Sequence, residues 1–376
     1  SRKNIMVVSL ENFYSNKKVL VTGHTGFKGS WLSMWLQYMG SEVIGYSLKP
    51  PTNPSLFDIA DVGSNMVSII GDIRDYQKLK NLFEEYRPEI VFHLAAQALV
   101  LESYNNPLET FETNIMGTVN VLEAVRSNGK VRSLVNVTSD KCYENNDGLK
   151  SYKEDDILGG IDPYSSSKAS AELVIKSYWK SFFDKEKTLK ESFICSVRAG
   201  NVIGGGDWAE YRLVPDCVRA IQENNKIHLR NPNSTRPWQH VIELIYGYLK
   251  LSVELKKNKS LHGESFNFGP DLQKEYSVLE LVKAMSNNWE DVSWKKISLS
   301  KGKFYESSLL RLNCNKARKI LKWKCILKFE ETMELVANWY RNFYSSSRNT
   351  NHITNQQIEN YQSLAVKRGL KWAKTN

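Results

Sequence analysis

The sequence predicts an α/β fold, a doubly wound parallel sheet with a smaller carboxyl-terminal α/β lobe, and three observations predict it. Short β-branched apolar runs alternate with longer amphipathic segments from Lys17 to about Val202, which is the pattern of βαβ units. The first run enters a turn containing three glycines and leaves it as an amphipathic helix. After Gly204-Gly205-Gly206 the rhythm changes to isolated short strands and helices, as expected of a second lobe closing over the carboxyl edge of the sheet.

In chain order the strands are Lys18–Thr22, Val43–Tyr46, Val67–Gly71, Ile90–Ala95, Leu134–Thr138 and Phe193–Arg198. Their branched side chains fit a pleated, buried surface. Between them Phe27–Tyr38, Tyr76–Tyr86, Pro107–Ser127 and Pro163–Phe183 read as helices; the third repeats Phe111, Ile115, Val119 and Leu122 at helical spacing. Helices then cover both faces of the sheet. In the second half Leu213–Glu223, Ile242–Leu255, Val278–Met285 and Phe329–Phe343 are the predicted helices. The serine- and asparagine-rich stretch Ser345–Asn355 reads as a mobile connection to a last helix near Gln356–Ala373. The division expected is 1–203 for the first domain and 204–376 for the second, with segments of the two interleaved.

Composition excludes several classes. At 376 residues, 41% hydrophobic and 24% charged, the chain is an ordinary globular one. No run approaches the roughly 20 apolar residues of a membrane helix, and the start lacks the basic, apolar, small order of a secretory signal. A cytoplasmic protein without a membrane partner is expected. The cysteines Cys142, Cys195, Cys217, Cys314 and Cys325 are scattered and never spaced as a metal pair, so neither a disulfide framework nor a metal site is expected. The net charge of +10 lies in mixed stretches such as Lys185-Glu186-Lys187 and Lys256-Lys257-Asn258-Lys259. Without basic-aromatic interleaving, solvated faces rather than a nucleic-acid partner are expected.

The run Thr22-Gly23-His24-Thr25-Gly26-Phe27-Lys28-Gly29 carries the chemistry of a Rossmann-type dinucleotide site. The first glycine permits the turn, the second lets backbone approach a pyrophosphate, and the third lets helix and strand pack, with the phosphates at the helix N-terminus. Gly23, Thr25, Gly26, Phe27, Lys28 and Gly29 are therefore cofactor candidates. Asp72 and Ile73 at a strand end suit the adenine, and Leu94, Ala95, Ala96 and Gln97 suit the pyrophosphate and ribose. Asn114, inside a helix, and Thr138, ending the fifth strand, complete the set. After the second strand stand Ser47 and Lys49 without a carboxylate, and residue chemistry alone leaves NADP open beside NAD.

Tyr164-Ser165-Ser166-Ser167-Lys168 opens a helix after Asp162-Pro163, putting Tyr164 and Lys168 one turn apart on one face. A nearby ammonium favours tyrosinate and lowers the phenol pKa, so Tyr164 can take an alcohol proton as hydride leaves. At the end of the fifth strand stand Ser139, Asp140 and Lys141. An alcohol oxidation or 4-epimerisation needs only the hydroxyl and the tyrosine-lysine pair. A dehydration also needs an acid for the departing hydroxyl and a base for a carbon-bound proton, and Asp140 and Lys141 can supply both. For an anionic diphosphate the candidates are Arg212, Arg230 and Arg236, whose planar forks suit phosphate oxygens, with Asn201 as a phosphate or sugar contact and Trp208 to stack on or cover the site.

The blocks Thr138-Ser-Asp-Lys-Cys-Tyr-Glu-Asn145, Leu158-Gly-Gly-Ile-Asp-Pro-Tyr-Ser-Ser-Ser-Lys168, Arg198-Ala-Gly-Asn-Val-Ile-Gly-Gly-Gly-Asp-Trp208 and Arg236-Pro-Trp-Gln-His-Val241 resemble the CDP-glucose 4,6-dehydratases, within the extended short-chain dehydrogenase/reductases. The resemblance runs from the glycine turn to Gln357-Ile-Glu-Asn-Tyr361. It implies NAD as cofactor, a nucleotide-diphosphate sugar as substrate, and a place in deoxysugar supply for surface polysaccharide. It also implies three steps: C4 oxidation by Tyr164 with Ser139 and Lys168 orienting the hydroxyl, elimination of water with Lys141 as base and Asp140 as acid, and hydride return to C6. The chain departs from the family pattern at Ala98 and Leu101, where proline and arginine are usual, and over 145–152. The alternatives are a nucleotide-sugar 4-epimerase and a non-catalytic NAD(P)-binding scaffold or sensor. Helices Pro107–Ser127 and Pro163–Phe183 carry enough outward apolar residues to pair with a second copy, so a homodimer or homotetramer through a four-helix bundle is expected.

Overall fold

Seven strands, all parallel, form one sheet: β1 Lys18–Thr22, β2 Glu42–Ser47, β3 Val67–Ile70, β4 Ile90–His93, β5 Ser133–Val137, β6 Phe193–Ala199 and β7 Ser265–Phe268. Their order across the sheet is β7-β6-β5-β4-β1-β2-β3. The computed structural model describes residues 9–144, 151–184, 192–229, 231–270, 275–289, 293–296, 311–345 and 349–373.

The order reverses at β1, which pairs with β2 through Val19↔Val43 and with β4 through Val19↔Ile90. A reversal of this kind leaves a crevice at the carboxyl ends, where open α/β sheets bind ligands. Helix α1 (Phe27–Tyr38) follows β1 and α2 (Tyr76–Tyr86) follows β3; both have the bounds the sequence predicts. The predicted helix 107–127 is three joined segments, Pro107–Phe111, a π turn Glu112–Met116, and α3, Gly117–Asn128. Helix α4 is Pro163–Tyr178, continued by a π segment Trp179–Phe183.

The second half contributes α5 (Leu213–Gln222), α6 (Val241–Lys257), α7 (Val278–Asn288), α8 (Phe329–Tyr344) and α9 (Thr350–Lys367). It also returns β7 to the first half's sheet, in register with β6 through Phe266↔Val197; no strand is predicted there. Nearly all of α6 is buried against the sheet, so one apolar cluster joins α1, α6, α8 and α9 while another lies across the sheet under α2, α3 and α4.

The end of the chain corrects the sequence reading. Thr350 to Asn355 belong to α9, which starts six positions before the predicted Gln356. The reason is polar burial: the Trp339 indole donates to Thr354 Oγ1 at 3.0 Å, Thr354 Oγ1 donates to the Thr350 carbonyl at 2.8 Å, and Gln357 donates to the Leu335 carbonyl at 2.8 Å. Of the rest of that predicted connection, Ser346 to Arg348 lie outside the described residues. Among the described residues no helix is long and apolar enough to cross a membrane.

Candidate active site

The glycine turn is built for close approach. Gly23 has φ +76°, and a Cβ there would lie 2.8 Å from the Ala95 nitrogen; one on Gly29 would lie 2.0 Å from the Gly23 carbonyl oxygen. Thr22 Oγ1 receives the amides of Leu94 and Ala95 at 3.2 Å each, which sets the loop 94–97 against the turn. Gly26 caps α1 without a side-chain hydrogen bond, and a helix N-terminus after such a turn is the usual place for an anion. Thr25 is buried and its hydroxyl bonds Ser47 Oγ and the Leu48 carbonyl, both at 2.9 Å. Ser47 is thereby occupied, and Lys49 is exposed.

The remaining cofactor candidates divide. Asp72 gives both carboxylate oxygens to Arg74, which holds its carboxyl below the usual range, and Ile73 packs on Gly117 of α3. Ala96 lies half-exposed in its loop. The side-chain amides of Gln97 and Asn114 shape the loop. Gln97 Nε2 donates to the Leu99 carbonyl and Thr110 Oγ1, each at 3.0 Å. Asn114, in the π turn, receives the Gln97 amide at 2.9 Å and donates to the Gln97 carbonyl at 3.0 Å and to Ser167 Oγ at 2.8 Å.

The catalytic candidates meet at the carboxyl end of β5. Asp162 caps α4 by accepting the Ser165 amide at 2.9 Å, and Pro163 occupies the first turn, where its missing donor costs nothing. This start points Tyr164 and Lys168 inward, both buried. Ser139 caps the short turn Asp140–Cys142, accepting the Lys141 amide at 3.2 Å and donating to Asp140 Oδ1 at 3.0 Å. Ser139 also hydrogen-bonds the Tyr164 phenol. Asp140 lies in a tight slot: a Cβ on Gly200 would sit 3.1 Å from its Oδ2 and 3.4 Å from Pro237 Cγ.

Burial governs the charges. It pushes the Asp140 carboxyl above the usual range, against the opposing pull of Lys141, Ser139 and Lys28. Burial also drives the Lys168 ammonium down to about 8, helped by Lys28, and the Lys28 ammonium down to about 8, helped by Arg212. The expectation for Tyr164 is corrected: burial pushes its phenol up to about 12, with the Ser139 hydrogen bond and Arg212 pulling the other way. Desolvation of the tyrosinate outweighs its cationic neighbours.

Arg212 pairs with Asp207 at 2.8 Å and lies near enough to Tyr164 and Lys28 to act on both. Arg236 is half-buried in the strand Thr235–Arg236 and donates to its own Thr235 carbonyl at 2.9 Å; the next residue, Pro237, meets Gly200 and Asp140. Asn201 is exposed and its carbonyl receives the Gln239 amide at 3.2 Å. Arg230 lies outside the described residues. Trp208 packs its ring at 5.2 Å from Phe343 and 5.7 Å from Trp339 and Tyr340, and its Nε1 donates to the Tyr344 hydroxyl at 3.2 Å. Of the two expected roles, this packing favours covering over stacking on a ligand.

Sequence reasoning missed Glu172 and the role of Arg198. Glu172 accepts a hydrogen bond from Thr138 Oγ1 at 2.5 Å and pairs with Arg198 at 2.8 Å, all in the interior. The signal was present, since Glu172 continues the Tyr164, Lys168 spacing by one more helical turn.

The family model described as GDP-mannose 4,6 dehydratase matches residues 20–336. A CDP-glucose 4,6-dehydratase of Salmonella typhimurium is 46% identical over 333 residues, covering 88% of this chain and 92% of that protein. A dTDP-D-glucose 4,6-dehydratase of Dictyostelium discoideum is 26% identical, covering 93% of this chain and 86% of its own. Among solved structures, dTDP-glucose 4,6-dehydratase from Bacillus anthracis in complex with NAD superimposes with a TM-score of 0.70 at 23% identity, covering 87% of this chain and 97% of that one. An epimerase from Methanothermobacter thermautotrophicus gives 0.76 at 24% identity, covering 92% and 98%.

Proposed function

The chain belongs to the GDP-mannose 4,6 dehydratase family; it is an NAD-dependent nucleotide-sugar 4,6-dehydratase, and we propose that its substrate is CDP-glucose, converted to the 4-keto-6-deoxy sugar. The observation that carries the dehydratase reading over the epimerase is the Asp140-Lys141 pair beside Ser139, with Asp140 near enough to act on Tyr164. The 46% identity to a CDP-glucose enzyme supports the base and the hexose.

The residues present fit NAD. Gly23 and Gly29 leave no room for side chains, and the Ser47 hydroxyl is already bonded to Thr25. Gly23, Gly26 and Gly29 with the amides of Phe27 and Lys28 would hold the pyrophosphate. When bound, NAD supplies the acceptor for the C4 hydride and its donor back to C6. Tyr164 takes the C4 hydroxyl proton; Ser139 and Arg212, which pull its phenol down, help form the base. Lys168, from the same helix face, orients the reacting hydroxyl as an ammonium. The 4-ketone acidifies C5–H, Lys141 removes that proton, Asp140 delivers one to the departing C6 hydroxyl, and the protonated Lys141 gives a proton back to C5 once C6 is reduced. Burial favours the protonated Asp140 that this step needs. Arg212 and Arg236 are assigned to the substrate diphosphate.

The test is incubation of purified protein with NAD and a panel of CDP-, dTDP-, GDP- and UDP-hexoses, followed by mass spectrometry. Loss of one water from CDP-glucose alone is the expected result. Water loss from another sugar nucleotide moves the substrate, and isomerisation without water loss gives the epimerase. In Lys141→Ala, C4 oxidation persists and elimination fails; undiminished dehydration removes Lys141 from the mechanism. We further infer a homodimer or homotetramer through α3, α4 and the segments continuous with them, because Leu108, Met116, Leu173 and Phe182 are 72%, 50%, 57% and 44% exposed there. Light scattering of Leu173→Glu is expected to show a smaller particle than wild type, and a monomeric wild type refutes the interface.

A further inference from the structure

A buried ion pair is weak evidence of stability, since desolvating two charges offsets most of their attraction. What the pair grips is therefore informative. Glu172 and Arg198 side chains are 2% and 3% exposed and meet two-pronged, Arg198 Nε to Oε1 at 3.0 Å and Nη2 to Oε2 at 2.8 Å. The carboxylate also receives the hydroxyls of Thr138 on Oε1 at 2.5 Å and, on Oε2, of Ser196 at 2.8 Å and Ser265 at 3.3 Å. Arg198 Nη1 donates to the Tyr143 hydroxyl at 2.8 Å and the Glu154 carbonyl at 2.9 Å, and its guanidinium lies 4.9 Å from the Tyr143 ring centre. The pair thus holds β6, β7, the residue before Ser139 and the residue after the Asp140–Cys142 turn.

Glu172 stands one helical turn beyond Lys168 and two beyond Tyr164, so the three share one face of α4. We propose that Glu172 is a positioning residue for the reaction: with Arg198 and Thr138 it fixes the Tyr164–Lys168 face of α4 against the turn that carries Ser139, Asp140 and Lys141. The inference rests on the dehydratase reading.

Charge follows the same geometry. Although burial pushes the Glu172 carboxyl up, Arg198 and the hydroxyls of Thr138 and Ser196 hold it below the usual range. Around Lys168, Lys28 from α1 disfavours the ammonium, Glu172 favours it, and burial keeps the Cys142 thiol and His93 from β4 neutral.

The double variant Glu172→Met/Arg198→Met removes both charges without orphaning one, and such replacements commonly fold with near-native stability. We expect kcat to fall roughly 10- to 100-fold, as for displaced catalytic groups, with KM for the sugar nucleotide and the melting temperature close to wild type. In Glu172→Gln the alkaline limb of kcat moves to lower pH, because Lys168 loses its nearest favourable charge. A purely structural role leaves that limb in place. A folded double variant with wild-type kcat overturns the proposal, as does an unmoved limb in Glu172→Gln, which decides alone if the double variant fails to fold. If wild-type protein dehydrates none of the sugar nucleotides, the dehydratase reading fails separately. NAD affinity by tryptophan-fluorescence quenching then gives the answer: weaker binding in the folded variants supports positioning, unchanged binding overturns it.

Discussion

The stretch from Arg198 to Trp208 feeds two regions built on opposite physics. Arg198 enters a buried polar network with Glu172 and Thr138, next to Ser139, Tyr164 and Lys168. Trp208 enters an aromatic cluster with Trp339, Tyr340 and Phe343, behind Gly205, where a Cβ would overlap the Trp339 ring. In the first region burial works against the charged groups, holding the Lys168 ammonium at about 8 and the Tyr164 phenol at about 12. In the second, burial is the stabilising term, since aromatic side chains dominate core energetics. The molecule spends stability at the catalytic edge and recovers it in the lobe behind.

The contrast is open to direct attack, and Tyr164→Phe should give the largest effect. Removing a general base costs about 10²- to 10⁴-fold in kcat, and here the melting temperature should hold or rise, because only a buried hydroxyl is lost. Stopped-flow absorbance of the reduced nicotinamide measures C4 oxidation directly; oxidation at the wild-type rate would take Tyr164 out of the role of base. Trp208→Ala should do the reverse. Emptying that aromatic site should destabilise the fold by about 3–5 kcal/mol, while KM for the sugar nucleotide in the folded fraction stays near wild type. A large rise in KM with unchanged thermal stability would return Trp208 to the substrate and blur the division between the regions.

The two regions were also unequally legible. The span from β1 to α1 was read to the residue because its signals are local: a β-branched run, a glycine turn, then amphipathic spacing. The candidates Ser139, Asp140, Tyr164 and Lys168, which the structure brings together, were legible for the same reason, each lying at a strand end or helix start that short motifs mark. The place of Trp208 was left open because a tryptophan after Gly-Gly-Gly-Asp reads alike whether it stacks on a ligand or on a helix, and its partners stand more than a hundred residues later. Helix α9 began too late in the reading because its buried polar side chains, Thr354 and Gln357, have their partners on α8. Strand β7 was missed because only its pairing with β6 identifies it. The direction of the Tyr164 shift was wrong because sequence shows the neighbouring ammonium and hides the desolvation.

Lys168→Met gives the smallest effect on stability and the sharpest sign. In the folded protein the Lys168 ammonium titrates at about 8, against an ordinary value of 10.5. Between those values the unfolded chain binds more protons than the native one, so the native lysine's contribution to stability rises with pH through that window and is least favourable below about 8. Replacing it by an apolar side chain of similar length removes a charge that burial opposes. The variant should therefore be more stable than wild type at pH 7 by about 1–3 kcal/mol, should lose that advantage as pH climbs from 8 toward 10.5, and should lose turnover at every pH. Thermal melts across that range measure it. A destabilised variant, or a gain that does not fade with pH, would mean that Glu172 already compensates the ammonium, and the catalytic edge would then be no more strained than the aromatic cluster behind it.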